Sequence, residues 1–138
     1  MEKQNVYFTT FKTTGSENLL QKLHRLMKQA GFETIDMKDK YAAIKIHFGE
    51  YGNLAFLRPN YAKVVADYCK ELGAKPFLTD CNTLYVGNRK NALDHLDTAY
   101  VNGLGDRSDH RRVCQGSEDR TCDHGCGCIY FTDSFQGT

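Results

Sequence analysis

Three times along this chain a short β-branched or aromatic run is followed by a segment of helical periodicity, and that rhythm constrains the fold more than any other feature. Val6 to Phe11 reads as a first strand, because β-branched and aromatic side chains suit a pleated surface. Ser16 then offers an N-cap hydroxyl. Leu19, Leu20, Leu23, Leu26, Met27 and Ala30 recur at helical spacing as far as Gly31, a natural stop. Thr34 and Ile35 suggest a minor strand. Tyr41 to Phe48 reads as the second main strand, with Ile44, Ile46 and Phe48 on one face and Lys45 and His47 on the other. Pro59 opens the next helix, whose expected buried stripe is Tyr61, Val64, Val65, Tyr68 and Leu72, with Gly73 ending it. Pro76 to Asp80 forms a third strand. A last helix over 91–102 turns Ala92, Leu93, Leu96 and Ala99 inward before Gly103.

Strands alternating with helices predict an α/β fold: a small, mainly parallel sheet with helices packed on it, joined by right-handed crossovers. Residues 1–103 form this α/β part. Residues 104–138 read as an irregular tail. All eleven lysines lie in residues 1–102, and alanine and proline are absent after Gly103, where Gly, Asp, Arg, Cys and Ser dominate. Such a stretch lacks the apolar periodicity needed to offset the roughly 1–2 kcal/mol per residue that backbone ordering costs. A shifted reading frame or a truncation is therefore expected there, with regular structure limited to about Ile129 to Thr132.

Composition narrows the functional classes. A net charge of +1 argues against a nucleic-acid footprint or a polybasic membrane anchor. No apolar run approaches the roughly 20 residues that span a bilayer, and Met1 to Asn5 lacks a signal-peptide core. A cytoplasmic protein is the expectation, and in that compartment its six cysteines would be thiols or metal ligands rather than disulfides.

Ligands of parallel α/β sheets gather at the carboxyl ends of the strands. The second strand leads into His47, Glu50 and Asn53, and the third into Asp80, Cys81 and Asn82. The segment beyond brings Arg89, Asn91 and His95. His47, Glu50, Asp80 and His95 are the candidate catalytic groups, since imidazoles and carboxylates can share proton transfer or hold a metal. Asn53, Asn82, Arg89 and Asn91 are the candidate ligand-binding groups. Each has a plainer role open to it. His47 can close a strand with its ring hydrogen-bonded, Asp80 and Asn82 can serve as turn residues, and Asp94 and His95 can lie on a solvated helix face. Gly49 and Gly52 match no phosphate-loop motif. In the tail, Cys122, Cys126 and Cys128 with His124 are suitable soft ligands, and Cys114 could add a fourth thiolate. Their spacing fits neither a ferredoxin nor a paired zinc knuckle.

Several of these stretches occur together in one known group. Lys45 to Asn53, Arg58-Pro59, Thr79 to Tyr85 and Asn91 to His95 resemble the N-terminal part of the bacterial domain-of-unknown-function 362 family, often labelled iron–sulphur centre proteins. The likeness covers about residues 4–103. It implies a longer protein that commonly ends in a ferredoxin-like segment with [4Fe–4S] motifs, and it implies no settled reaction. Those cysteine motifs are absent here, so cluster ligands do not carry over to Cys114, Cys122, Cys126 or Cys128. The cofactor is thus unknown, as is the metal. Three functions follow: a redox-linked α/β domain with a metal or small-molecule ligand at the sheet edge, a module docking a ferredoxin-like electron-transfer partner, or a metal-binding protein using its tail cysteines.

Overall fold

The structure, a computed structural model, describes residues 5–104 and 128–131. Its elements run α1 (Leu19–Gln29), a short 3-10 turn (Phe32–Thr34), β1 (Tyr41–Lys45), α2 (Pro59–Glu71), β2 (Lys75–Cys81), α3 (Ala92–Val101) and β3 (Cys128–Phe131). β1 and β2 pair in parallel, with Tyr41 opposite Lys75 and Lys45 opposite Thr79. β3 lies antiparallel on the other side of β2, from Leu78 opposite Phe131 to Cys81 opposite Cys128. The fold is α/β, with helices packed about a parallel β1–β2 pair. α2 crosses over between these strands and packs on both, and α1 lies against α2.

The first expected strand does not form. Residues 5–10 take no regular structure, and Val6, Phe8 and Phe11 are 91%, 83% and 87% exposed. β propensity expresses itself only where a sheet edge supplies ladder partners and a face to cover. What holds this segment instead is Lys22, a buried lysine whose Nζ donates to the carbonyls of Thr10 and Lys12. The minor strand expected at Thr34 and Ile35 is likewise replaced, by the 3-10 turn. The N-cap of helix α1 lies two residues beyond Ser16. Asn18 caps it in a reciprocal box, its Oδ1 accepting from the Gln21 amide at 3.0 Å while Gln21 Oε1 accepts from the Asn18 amide at 2.8 Å.

The inward faces of α2 and α3 also differ from expectation. On α2 the small residues Ala62, Ala66 and Cys69, together with Tyr68, are buried, while Val64 and Val65 are only half-buried. Small side chains let a helix approach a sheet closely, and the Tyr68 ring stands edge-on to His24 of α1, 4.5 Å between centroids. On α3, Leu93 is half exposed and His95 takes the inward place, 0% exposed, beside Leu96, Thr98 and Ala99. The alternation after β1 holds beyond the strand's end. Ile46 and Phe48 point into the core with Ala62, Leu78, Leu96, Ala99 and Leu104, whereas Lys45 and His47 face outward.

Among the described residues no helix is long and apolar enough to cross a membrane. Cys114, Cys122, His124 and Cys126, and the expected shift of reading frame, lie outside the described residues, as does the Cys128 side chain.

Candidate functional site

Parallel pairing brings the ends of β1 and β2 to one edge, and that edge carries the charged groups. The ladder continues one bond past β1, with the Ile46 amide donating to the Thr79 carbonyl at 3.0 Å, before the chain turns away through His47 and Phe48. The turn is tight. Gly49 sits at φ +75°, and a Cβ there would come within 2.4 Å of the Asn53 side chain. Asn53 Nδ2 donates to the Phe48 carbonyl at 2.9 Å, and Asn102 on the far end of α3 donates to the Phe48 and Glu50 carbonyls. Two asparagines therefore fix where Glu50 emerges.

Glu50 enters a closed network. Its Oε1 accepts from Arg89 Nε and from the Tyr85 hydroxyl, both at 2.9 Å, and its Oε2 accepts from the Asn88 amide at 3.0 Å. Arg89 Nη2 donates to the Tyr85 oxygen at 2.6 Å, closing a ring of three side chains. A Cβ at Gly87 would lie 3.1 Å from Glu50 Oε2, so the close approach of this loop depends on glycine. Arg89 is 2% exposed and stacks its guanidinium over Phe48, 5.9 Å from the ring centroid. Burial alone would raise the Glu50 pKa, but the hydrogen bonds from Arg89, Tyr85 and Asn88 outweigh it and hold the carboxyl below its usual range.

Asp80 is 2% exposed and its two oxygens have different fates. Oδ1 accepts from Lys45 Nζ at 2.7 Å and from the Cys81 amide at 2.9 Å. Burial pushes this carboxyl up, yet the Lys45 hydrogen bond, the Cys81 amide and the Lys45 charge bring it below the ordinary value. Oδ2 has three polar neighbours and no hydrogen bond: His47 Nδ1 at 3.3 Å, Arg89 Nη1 at 3.5 Å and His95 Nε2 at 3.7 Å. Arg89 Nη1 donates one of its two hydrogens to His47 Nδ1, 3.2 Å away.

His95 is the second half of this unpaired end. Its Nδ1 lies 2.9 Å from Asn82 Oδ1, which can only accept, so Nδ1 carries the ring proton and Nε2 presents a lone pair. That Nε2 is buried without a hydrogen-bond partner. Burial pushes the His95 pKa down to about 4 against the attraction of Asp80, with Arg89 adding to the fall, so the ring is neutral at neutral pH. Two buried acceptors, one carboxylate oxygen and one imidazole nitrogen, thus face each other with no hydrogen between them.

Six of the eight residues singled out by sequence meet at this edge: His47, Glu50, Asp80, Asn82, Arg89 and His95. The other two are engaged locally. Asn53 braces its own turn, and Asn91 caps α3 through the Leu93 and Asp94 amides at 3.1 and 3.0 Å. His47 lies on the rim, its side chain 63% exposed. Sequence reading missed Lys45, Tyr85 and Asn102 as members. Lys45 sharing a strand face with His47 was the available signal for the first, whereas nothing in the spacing marks the other two.

Among the described residues no group of three or more His, Cys, Asp or Glu side chains is arranged to hold a metal ion. The cysteines with described side chains, buried Cys69 on α2 and exposed Cys81 on β2, cannot furnish the four thiolates of a [4Fe–4S] cluster. No curated protein and no solved structure matches the chain. A family model does match, over residues 42–121, so that it takes in every side chain of the edge just described and ends beyond Gly103. More than half of the chain is covered, and the protein belongs to the family described as Domain of unknown function (DUF362).

Proposed function

We propose that this protein binds a small polar molecule at the carboxyl edge of its β1–β2 pair, with Asp80 Oδ2 and His95 Nε2 receiving it. One observation carries the reading: two buried acceptors 3.7 Å apart, neither of them hydrogen-bonded. A buried polar group without a hydrogen bond costs about 1–3 kcal/mol, and a ligand group that brings two hydrogens, a primary amide or paired hydroxyls, would remove two such costs at once. Lys45, with its side chain 59% exposed, and His47 stand on the rim, where they suit an anionic portion of the same molecule. A metal ion is the poorer occupant, because the Arg89 guanidinium already lies 3.5 Å from Asp80 Oδ2 and would repel it. In any chemistry here, His95 and Asp80 are the groups able to take a proton, His47 stands at the mouth, and Glu50 serves by holding Arg89. Free thiols at Cys69 and Cys81 support work in the reducing cytoplasm.

Titration of histidine-labelled protein with glycerol and acetamide, two small neutral hydrogen-bond donors, tests the site through the ¹⁵N resonance of His95 Nε2. A saturable shift that is lost in a D80N variant is expected. If neither probe moves that resonance, the reading fails.

A second reading has its own support. Leu84 and Val86, 98% and 88% exposed, flank Tyr85 on the loop beside the site. An apolar loop at the site edge suits docking of a ferredoxin-like electron-transfer partner. Cross-linking of wild-type protein to a ferredoxin that is lost on substituting Leu84 and Val86 by Ser would favour it, and unchanged cross-linking would remove it.

A further inference from the structure

Neutral imidazole has a single ring proton, and where His95 puts it decides what the buried end of the site can receive. Two partners compete. On one side Asn82 Oδ1 lies 2.9 Å from Nδ1, a normal hydrogen bond; on the other, Asp80 Oδ2 lies 3.7 Å from Nε2, too far for one. Were the proton on Nε2, the Asn82 oxygen would face a bare nitrogen lone pair at 2.9 Å, and the amide would have to turn over to offer its Nδ2 in place of the oxygen that faces the ring. Asn82 follows β2 directly, two residues past Asp80 on the same run of chain, so the one segment that supplies the carboxylate also supplies the group that turns the imidazole's lone pair towards it. The local charges leave the pair open. Lys45 and Arg89 offset Asp80 and Glu50, and Arg89 Nη1, 3.5 Å from Asp80 Oδ2, donates to His47 Nδ1 instead.

We propose that Asn82 is the positioning residue that makes this site select hydrogen-bond donors: by accepting the Nδ1 proton it keeps His95 Nε2 and Asp80 Oδ2 both as acceptors, so that the site takes a neutral primary amide or paired hydroxyls, which bring two hydrogens, and refuses a bare carbonyl or ether oxygen. The selectivity rests on the ligand reading given above, whereas the role of Asn82 rests on the hydrogen-bond geometry alone. An ammonium group is disfavoured because it would crowd Arg89 Nη1, 3.5 Å from the same carboxylate oxygen. Without Asn82 the imidazole is free to place its proton on Nε2 and close on Asp80, which satisfies both orphans and shuts the site.

The test uses the full chain labelled with ¹⁵N in histidine, as wild type, N82D and N82L, with ring nitrogen shifts read at neutral pH. In wild type the His95 proton is expected on Nδ1. N82D keeps an acceptor there and is expected to keep that tautomer, while N82L inverts it to Nε2–H. Donor probes such as acetamide are then expected to bind wild type at least about tenfold more tightly than acceptor-only acetone. An Nε2–H proton in the wild-type spectrum overturns the proposal, and that spectrum needs no variant to fold. The same tautomer in all three proteins also overturns it, since another group would then be orienting the ring. If the tautomers behave as expected but no donor probe perturbs His95, the role of Asn82 stands, and the ligand reading fails because an ordered water fills the pair.

Discussion

Two ends of one charged cluster, only a few ångströms apart, are built on opposite principles. At the Glu50 end every polar atom is answered, with Arg89, Tyr85 and the Asn88 amide closing on one carboxylate. At the Asp80 end a carboxylate oxygen and an imidazole nitrogen are left facing each other without a hydrogen bond. A satisfied buried network rigidifies its surroundings, while a partly satisfied one is expensive and persists where something else compensates. The closed end accordingly reads as the scaffold and the open end as the place where something is received.

The largest expected effect comes from opening the closed end. Arg89→Leu removes a buried guanidinium and its hydrogen bonds to Glu50, whose side chain is 38% exposed, and to Tyr85, a change expected to cost about 2–3 kcal/mol. Urea unfolding should show that loss. A cost below about 1 kcal/mol would mean that the ring of Glu50, Tyr85 and Arg89 contributes little, and the contrast would collapse.

Acid should act mainly through the open end. His95 has a folded pKa of about 4, below the ordinary 6.5 expected for the unfolded chain. The unfolded state therefore binds the proton first. Stability from the neutral ring is fully present above pH 6.5 and is lost as pH falls from there to about 4, a total on the order of 3 kcal/mol. Asp80 and Glu50, both lowered, lose their contributions as pH falls below the ordinary carboxylate values. Urea midpoints measured between pH 7.5 and 4.5 should decline, and a H95Q variant should flatten the upper part of that decline. An identical slope in the variant would place the acid sensitivity elsewhere.

Smaller effects sharpen the division. D80N should cost only about 1 kcal/mol, because its new amide can donate to His95 Nε2 while the pair with half-exposed Lys45 is given up. A loss as great as that of Arg89→Leu would put Asp80 with the scaffold. Asn91→Ala should cost about 1 kcal/mol through the lost α3 cap and leave the His95 tautomer unchanged. A changed tautomer would return Asn91 to the site. Least disturbing is modification of Cys81, which is exposed, whereas Cys69 is 2% exposed with its thiol pKa pushed up by burial. Peptide mapping after thiol labelling should find Cys81 modified well before Cys69, and the reverse order would contradict the burial of α2.

Much of this architecture was legible from local chemistry. Pro59 at the start of α2 and the β-branched or aromatic runs of β1 and β2 act over a few residues, so the elements emerged within two or three positions of where they lie. The alternation of Ile44, Ile46 and Phe48 against Lys45 and His47 also held, because the period of an extended chain is a property of the backbone. The Val6 to Phe11 run misled for the complementary reason. A strand is defined by its partner, and no residue of that run states whether an edge is available.

Sequence by itself determined the order of the main elements and the edge at which His47, Glu50 and Asp80 would gather, since parallel strands present their carboxyl ends together. Tertiary structure alone decided that His95 faces inward while Leu93 faces out, that Tyr85 and Asn88 complete the shell of Glu50, and that Asp80 Oδ2 is left without a hydrogen. Those outcomes depend on distances between groups up to about forty residues apart in the chain, such as the 2.9 Å from Glu50 to Arg89. Spacing along a sequence places residue types near one another, but whether a donor reaches an acceptor is settled by a few tenths of an ångström that only the packed chain sets.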